Sequence, residues 1–303
     1  MRILATQRLP GPAWDELEDV EVADAWPPER PRQGIGALIA VNRRVDDAVL
    51  ELLPDLRLVA NYGVGYDRVS VAACARRGVA VTNTPGVLDA AVADLTLALV
   101  LACLRLVVAG DRLVRDGRWR RGWSEPDMLG HDIAGATLGI VGLGRIGSAV
   151  ARRAEAFEMR VIHHRRSGGL PLDDLLRESD VVSLHVPLSD ATTGLVSRER
   201  LGLLRDSATL VNTARGAIVD EDALVEELTS GRLRAGLDVF VHEPHVPERL
   251  LALPNVVLTP HLGSATVETR AAMTRLVVDN VLAAMSGRQP PTLVPESCAF
   301  RAE

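Results

Sequence analysis

The sequence contains no lysine, and all 34 of its basic residues are arginine. This absence excludes Schiff-base chemistry and a phosphate-binding lysine, so a cation in any active site must be a guanidinium. The 40 acidic residues give a formal net charge of -6 at pH 7. Proteins that bind nucleic acid or an anionic membrane usually carry a basic face. We therefore expect neither nucleic acid nor a membrane among the partners.

Cysteine and long apolar runs are also scarce. Cys74, Cys103 and Cys298 are the three cysteines, and their spacing suits neither a disulfide framework nor a zinc site. The longest apolar run, residues 95–104, is too short to span a bilayer, and no export signal is recognisable at the N-terminus. The sequence therefore predicts a cytoplasmic protein without a metal site.

Short apolar segments alternate with helical patterns along the whole chain, which predicts βαβ units and parallel sheets. At 303 residues, 47% of them hydrophobic, the chain is long enough for two domains. We expect an α/β fold with two doubly wound sheets. The predicted strands are residues 3–5, 37–41, 58–60 and 79–81, and then 138–141, 160–163, 181–185, 209–212, 236–239 and 256–259.

Two long helices are predicted where the two series of strands are joined and after the last strand. Residues 89–115 contain no glycine or proline before Gly110, which indicates one long, mostly buried helix. Residues 264–285 form the second helix, after which the tail can return to the first domain. We expect a discontinuous substrate domain of residues 1–97 and 284–303 around a dinucleotide-binding domain of residues 98–283.

A glycine-rich turn follows the predicted strand at residues 138–141. Gly142, Gly144 and Gly147 have the spacing of a dinucleotide-binding loop and open a helical segment. The first glycine permits the tight turn, the second admits a pyrophosphate close to the backbone, and the third lets the helix pack on the strand. The alternative is a strand-to-helix turn that binds nothing, which the position between strand and helix disfavours.

The next predicted strand ends in a basic segment instead of the acidic residue that usually binds the adenosine ribose. His164, Arg165 and Arg166 stand there. A guanidinium matches a 2′-phosphate in charge and geometry. We therefore expect NADP(H) to be preferred and NAD(H) to be possible, the alternative being that these arginines form a solvated face.

Three later strands are each followed by a residue of catalytic type, namely Arg215, Glu243 and His261. Each alone has a structural explanation: a surface ion pair, a turn or a cap. Together they provide what reduction of a 2-oxo acid needs, which is a cation, a proton donor and a carboxylate that keeps the donor protonated. Since ligands of open α/β sheets bind beyond the carboxyl ends of the strands, we expect these side chains to meet there.

These motifs together resemble the D-isomer-specific 2-hydroxyacid dehydrogenase family over nearly the whole chain. The basic segment is most similar to that of the glyoxylate/hydroxypyruvate reductases, which generally prefer NADPH. The resemblance rests on the glycine loop and on residues 61–67, 83–94, 185–188, 212–216, 238–244 and 260–265.

The resemblance implies a role for each site residue. His261 is then the acid/base, Glu243 its hydrogen-bond partner and Arg215 the substrate clamp. The backbone amides of Val64 and Gly65 would hold the substrate carboxylate. The activity implied is the reduction of a small 2-oxo acid to a D-2-hydroxy acid by hydride transfer from NAD(P)H.

The resemblance also implies a nucleotide domain of Rossmann type, a flavodoxin-like substrate domain and a homodimer. Asp238 would face the nicotinamide carboxamide. The predicted cofactor-binding residues are Gly142, Gly144, Arg145, Ile146, Gly147, His164, Arg165, Arg166, His185, Val186, Pro187, Thr213, Ala214, Asp238 and Gly263.

Two alternatives stay open at this point. The same fold occurs in dinucleotide-sensing corepressors or scaffolds without turnover, although the set of Arg215, Glu243 and His261 weighs against that reading. Residues 118–123 combine three arginines with two tryptophans. They form either a substrate-selecting loop that reaches a partner subunit or a solvated loop.

Overall fold

The computed structural model describes residues 2–124 and 128–300, and it divides into two compact units. The first unit contains the residues up to Leu88 together with those from Ala265 onward, and the second contains Asp89–Ser264. Both are α/β units built on a parallel sheet. This confirms the predicted fold class.

The strands are β1 (Arg2–Ala5), β2 (Val20–Val22), β3 (Ile35–Ala40), β4 (Leu58–Asn61), β5 (Ala80–Thr82), β6 (Thr137–Val141), β7 (Arg160–Arg165), β8 (Gly168–Gly169), β9 (Val181–Leu184), β10 (Thr209–Asn212), β11 (Arg234–Leu237) and β12 (Val256–Leu258). The α-helices are α1 (Asp47–Leu52), α2 (Val71–Arg76), α3 (Asp89–Leu104), α4 (Val107–Arg115), α5 (Arg145–Ala156), α6 (Leu172–Glu178), α7 (Arg198–Leu201), α8 (Glu221–Thr229), α9 (Glu248–Leu251) and α10 (Val267–Met285).

The sheet of the first unit has the strand order β2-β1-β3-β4-β5, and its pairs are parallel. Every residue of β3 and β4 is buried, as expected for a parallel sheet covered on both faces. The tail returns to this sheet as predicted, because Leu293 bridges Thr82 and the Ser297 hydroxyl accepts the amide of Val81. Neither the short strand β2 nor the two-glycine strand β8 was predicted, since neither has an apolar run.

The sheet of the second unit has the order β12-β11-β10-β9-β6-β7-β8, with only the β7–β8 pair antiparallel. The strand order reverses between β6 and β9, which places a topological switch point there. Loops at the carboxyl ends of strands on either side of such a point form the ligand crevice in doubly wound folds. The glycine loop follows β6 and lies at this point.

The single long helix predicted over residues 89–115 is wrong. It consists of α3 and α4, which are bent by 63°, and Leu106 between them has a left-handed φ of 54°. Helix α3 buries eight side chains, whereas α4 buries none. The break between α3 and α4 therefore lies where the buried part of the segment ends, and no glycine or proline stands at it. Among the described residues no single helix suits a membrane span, and this bent pair passes only on length and composition.

The unit boundaries lie earlier along the chain than the predicted domain boundaries at 97/98 and 283/284. Helix α10 packs on β4 and on the 3-10 helix Pro12–Glu16, and the Thr274 hydroxyl donates to the Pro10 carbonyl at 2.6 Å. It therefore lies with the first unit. Helix α3 packs on α5, where Arg153 pairs with Asp94 at 2.6 Å, and so lies with the second.

Candidate active site

The glycine loop after β6 is shaped by close contacts that only glycine permits. Gly142 has a φ of +100°, and a Cβ there would lie 2.7 Å from the His185 carbonyl. A Cβ on Gly147 would lie 2.2 Å from the carbonyl oxygen of Gly142, so this glycine brings α5 against the strand. At Gly144 a Cβ would meet nothing within 4 Å. The loop therefore leaves open space at its second glycine.

That open space adjoins the N-terminus of α5, where Gly144 is the N-cap and provides no side-chain cap. The first amides of a helix that lack a side-chain acceptor favour an anion. Arg145 is exposed and pairs with Asp89 at 3.5 Å, while Ile146 is half-buried. The backbone and the free space thus fit the pyrophosphate of a dinucleotide.

The basic segment lies at the end of β7 and in the hairpin to β8. His164 is half-buried, and its Nδ1 lies 2.9 Å from the Leu170 carbonyl oxygen, which fixes its ring within the hairpin. Arg165 and Arg166 are exposed. Two guanidinium groups are therefore available at the strand end where a dinucleotide fold binds the adenosine ribose.

His185 follows β9 and lies beside the glycine loop. Its Nε2 is 2.8 Å from the buried Ser183 hydroxyl, and burial lowers the pKa of its imidazole to about 4. The ring is therefore neutral near pH 7. Val186 is half-buried and Pro187 is exposed in the same segment.

The turn after β10 is built by Asn212, whose amide donates to the Arg215 carbonyl at 2.9 Å and whose Oδ1 accepts the Ala214 amide at 3.0 Å. The Arg215 guanidinium donates to the Ala214 carbonyl at 2.7 Å, and Thr213 contacts the Thr96 hydroxyl at 3.0 Å. The turn and the Arg215 side chain are thus fixed by local bonds.

His261 and Glu243 form a hydrogen-bonded pair across the loops after β12 and β11. The His261 Nδ1 donates to the Glu243 Oε2 at 2.9 Å, and the Phe240 amide donates to Oε1 at 3.2 Å. Burial opposes ionisation of Glu243, but the bond and charge of His261, the Phe240 amide and the charge of Arg215 outweigh it and lower the pKa of the carboxyl. The pair therefore holds a carboxylate against the imidazole.

The exposure of the pair suits proton transfer to a ligand. The Glu243 side chain is 14% exposed and that of His261 is 37% exposed. Because Nδ1 is bound to Glu243, Nε2 is the ring nitrogen left to a ligand. An imidazole held in this way can deliver a proton in one defined direction.

Asp238 is buried in a set of hydrogen bonds that the sequence did not indicate. It is 0% exposed, and its carboxylate accepts hydrogen bonds from the Thr259 hydroxyl and from the amides of Leu262 and Gly263. The three bonds tie it to the loop that carries His261. Contact with a nicotinamide carboxamide stays a prediction.

The loop of residues 63–65 belongs to the first unit. The Asn61 amide donates to the carbonyls of Gly63 and Gly65, both at 3.0 Å, and the Asn83 amide donates to the Val64 carbonyl at 2.9 Å. In a trans peptide the N–H points away from the carbonyl that precedes it. The Val64 amide therefore points away from Asn61, and the Gly65 amide points away from Asn83.

The structure brings together Arg215, Glu243 and His261 within the second unit, at the same sheet edge as the glycine loop and His185. Sequence reasoning missed the polar residues that hold the site loops. Ser183, Asn212 and Thr259 bond to His185, to the Arg215 turn and to Asp238 in the second unit, and Asn61 and Asn83 bond to the loop of residues 63–65 in the first unit. All but Ser183 lie within the motif segments or directly beside them, so their position next to the site residues was the available signal. Trp119 and Trp123 are 56% and 100% exposed, and residues 125–127 beside them lie outside the described part.

Comparison with known proteins gives a consistent result. Residues 97–263 match the family model for the D-isomer specific 2-hydroxyacid dehydrogenase, NAD binding domain. A glyoxylate reductase of Pyrococcus horikoshii is 44% identical over 318 residues, covering 97% of this chain and 95% of that protein. A glyoxylate reductase of Aeropyrum pernix is 45% identical over 299 residues, covering 91% and 89%.

Solved structures show the same likeness. The TT0316 protein of Thermus thermophilus superimposes with a TM-score of 0.90 at 47% identity, covering 97% of this chain and 100% of that one. The NADPH-dependent glyoxylate/hydroxypyruvate reductase of Sinorhizobium meliloti, in complex with NADP and malonate, gives 0.89 at 38% identity, covering 100% and 98%.

The lowered pKa of Glu243 predicts how Glu243→Gln changes stability with pH. A depressed folded-state pKa means that the carboxylate stabilises the fold above the ordinary carboxyl pKa and that this contribution is lost as the pH falls through the folded value. We expect the variant to be less stable than the parent near pH 7 and the difference to shrink below about pH 4. Urea unfolding at a series of pH values measures this.

The exposed Glu155 on α5 provides the matched control, since Glu155→Gln removes the same charge outside the site. That variant should show no comparable pH-dependent difference. A difference between the parent and Glu243→Gln that is the same in strongly acidic and in neutral solution would contradict the stabilising role of the carboxylate.

Proposed function

Since the chain belongs to the D-isomer-specific 2-hydroxyacid dehydrogenase family, we propose that it reduces a small 2-oxo acid, such as glyoxylate or hydroxypyruvate, to the D-2-hydroxy acid with NADPH. The observation that carries this proposal is the 2.9 Å bond between His261 and Glu243, at the same sheet edge as Arg215 and the glycine loop. The names of the glyoxylate reductase relatives support the substrate class.

The reduction adds a hydride to C2 of the substrate and a proton to its carbonyl oxygen. A reduced nicotinamide supplies the hydride when it is bound. The protein must supply the proton, and His261 is the donor through Nε2. Glu243 holds the imidazole by Nδ1, which leaves Nε2 for the substrate. The products are the hydroxy acid, the oxidised cofactor and a neutral His261, which takes up a proton from solvent.

Arg215 stabilises the negative charge that develops on the carbonyl oxygen before the proton arrives. A guanidinium keeps its charge at every working pH, so this contribution does not titrate. In the first unit, the backbone amides of Val64 and Gly65 are the proposed donors to the substrate carboxylate. Two backbone donors match the two oxygens of that group.

The residues present fit a nicotinamide dinucleotide. The uncapped N-terminus of α5 and the free space at Gly144 would hold the pyrophosphate, and Arg165 and Arg166 would bind a 2′-phosphate. Our proposal that NADPH is preferred rests on these two arginines. The NADP complex of the Sinorhizobium meliloti relative supports it.

A dinucleotide-sensing corepressor or scaffold is the alternative function. No observation on the described residues favours it, and it gives no reason for the His261–Glu243 bond. Oxidation of NADPH by glyoxylate or hydroxypyruvate, followed as loss of absorbance, separates the two, because a sensor would bind the dinucleotide without turnover.

The first prediction of the proposed function is that His261→Ala lowers kcat by roughly 10²- to 10⁴-fold, the usual contribution of a general acid. The exposed His245 on the neighbouring turn is the matched control, and His245→Ala should keep the parent kcat. Steady-state assays with glyoxylate and NADPH measure both. Normal turnover of His261→Ala would remove the proposed proton donor.

The second prediction concerns the cofactor. In Arg165→Ala and Arg166→Ala, kcat/KM for NADPH should fall about tenfold to a hundredfold, since each loses charge-assisted hydrogen bonds, while kcat/KM for NADH changes little. The control is Arg160→Ala at the other end of β7, where the arginine pairs with Glu178 at 3.1 Å. A parent enzyme whose kcat/KM for NADH equals or exceeds that for NADPH would contradict the proposed NADPH preference.

We also propose a cytoplasmic homodimer. Helix α4 has no buried residue, and Val107 and Val114 on it are 56% and 57% exposed, which suits an apolar face covered by a second copy. Light scattering should give twice the mass of the chain for the parent and a monomer mass for Val114→Asp. The exposed Val267 is the control, and Val267→Asp should stay dimeric. A monomeric parent would contradict the proposal.

A further inference from the structure

His261 adopts a backbone conformation that a non-glycine residue rarely takes. Its φ is +55°, in the left-handed region. Such a conformation is energetically unfavourable and persists only where the surroundings fix it. The direction of the imidazole depends on this φ. The groups that hold the turn therefore also decide where the ring of His261 points.

Asp238 accepts the hydrogen bonds that hold the turn of residues 261–263. Its main-chain carbonyl accepts the amide of His261 at 2.9 Å, its Oδ1 accepts that of Leu262 at 2.7 Å, and its Oδ2 accepts that of Gly263 at 2.8 Å. Three consecutive amides thus converge on one residue. The left-handed turn is the conformation that lets them do so.

Thr259 fixes the carboxylate in turn. Its hydroxyl donates to the Asp238 Oδ1 at 2.6 Å, and its own carbonyl accepts the His261 amide at 3.1 Å. Its amide donates to the Leu237 carbonyl at 2.9 Å, so Thr259 is anchored to β11. The hydroxyl therefore links the rigid sheet to the turn through the carboxylate.

The carboxylate depends on this donor because Asp238 is 0% exposed, and a buried carboxylate needs hydrogen-bond donors from the protein. Burial raises the pKa of Asp238, and the bonds from Thr259, Leu262 and Gly263 with the charge of His261 offset only part of that effect. Loss of one donor leaves a buried carboxylate less satisfied, and it can rotate or take up a proton. Either change loosens the turn.

We propose that the Thr259 hydroxyl is a positioning group for His261, because it fixes the Asp238 carboxylate that holds the left-handed turn and so keeps the imidazole on Glu243. The inference rests on the proposed function, in which His261 is the proton donor. Thr259 itself touches none of the reacting atoms. It adds a fourth residue on which the proton transfer depends.

The test compares three variants of the full-length enzyme in glyoxylate reduction with NADPH. Thr259→Val keeps the shape of the side chain and removes the hydroxyl, whereas Thr259→Ser keeps the hydroxyl. Thr209→Val is the matched control, since the Thr209 hydroxyl is fully buried in β10 and has no partner in the described part of the chain. Each kcat is expressed per NADPH-binding site, so unfolded protein does not lower it.

We expect Thr259→Val to lose kcat by roughly tenfold or more, because small misplacements of a catalytic group are costly. Thr259→Ser should recover most of kcat, and Thr209→Val should match the parent.

Three results would overturn the inference: a parent-like kcat in Thr259→Val, an equal loss in Thr259→Ser, or an equal loss in Thr209→Val. If Thr259→Val does not fold, Thr259→Ala gives the same comparison without the β-branched side chain. Failure of the proposed function itself looks different, because the parent would then fail to oxidise NADPH with any 2-oxo acid.

Discussion

In the proposed reaction, the chemistry depends on the hydrogen bond between the Glu243 Oε2 and the His261 Nδ1. This bond joins two loops that follow neighbouring strands, β11 and β12, and it fixes the direction of the imidazole. The remaining bonds of the site serve it. The Phe240 amide holds the second oxygen of Glu243, and Asp238 with Thr259 holds the backbone of His261.

The parallel sheet makes this arrangement possible. Because all strands but β8 run in one direction in the second unit, their carboxyl ends meet at one edge, and the loops that carry the glycines, His185, Arg215, Glu243 and His261 all lie there. The buried strands fix the loop ends. The site residues then lie on short turns that are held by polar side chains, as Asn212 holds the turn that carries Arg215.

The sequence predicted the features that depend on periodicity and motif spacing, which are the fold class, most strands and the order of the site residues. The sequence-based prediction was wrong or incomplete where tertiary packing determines the local structure. The bend at Leu106 has no glycine or proline, and β8 is two glycines that pair only because the turn after β7 presents them. Nor could spacing indicate that Thr259 bonds to Asp238, because that contact joins two strand ends 21 residues apart.

The charges of the site divide into those that titrate and those that do not, and the lack of lysine sharpens this division. Arginine keeps its charge at every working pH, and His185 stays neutral because burial lowers its pKa to about 4. The Asp238 carboxylate is buried and accepts three hydrogen bonds. In the proposed reaction, proton exchange with the substrate is therefore assigned to the Glu243–His261 pair. A lysine in the same position as Arg215 would add a second group whose charge changes on burial. The Arg215 guanidinium therefore provides a charge that stays constant beside the Glu243–His261 pair, which exchanges the proton in the proposed reaction.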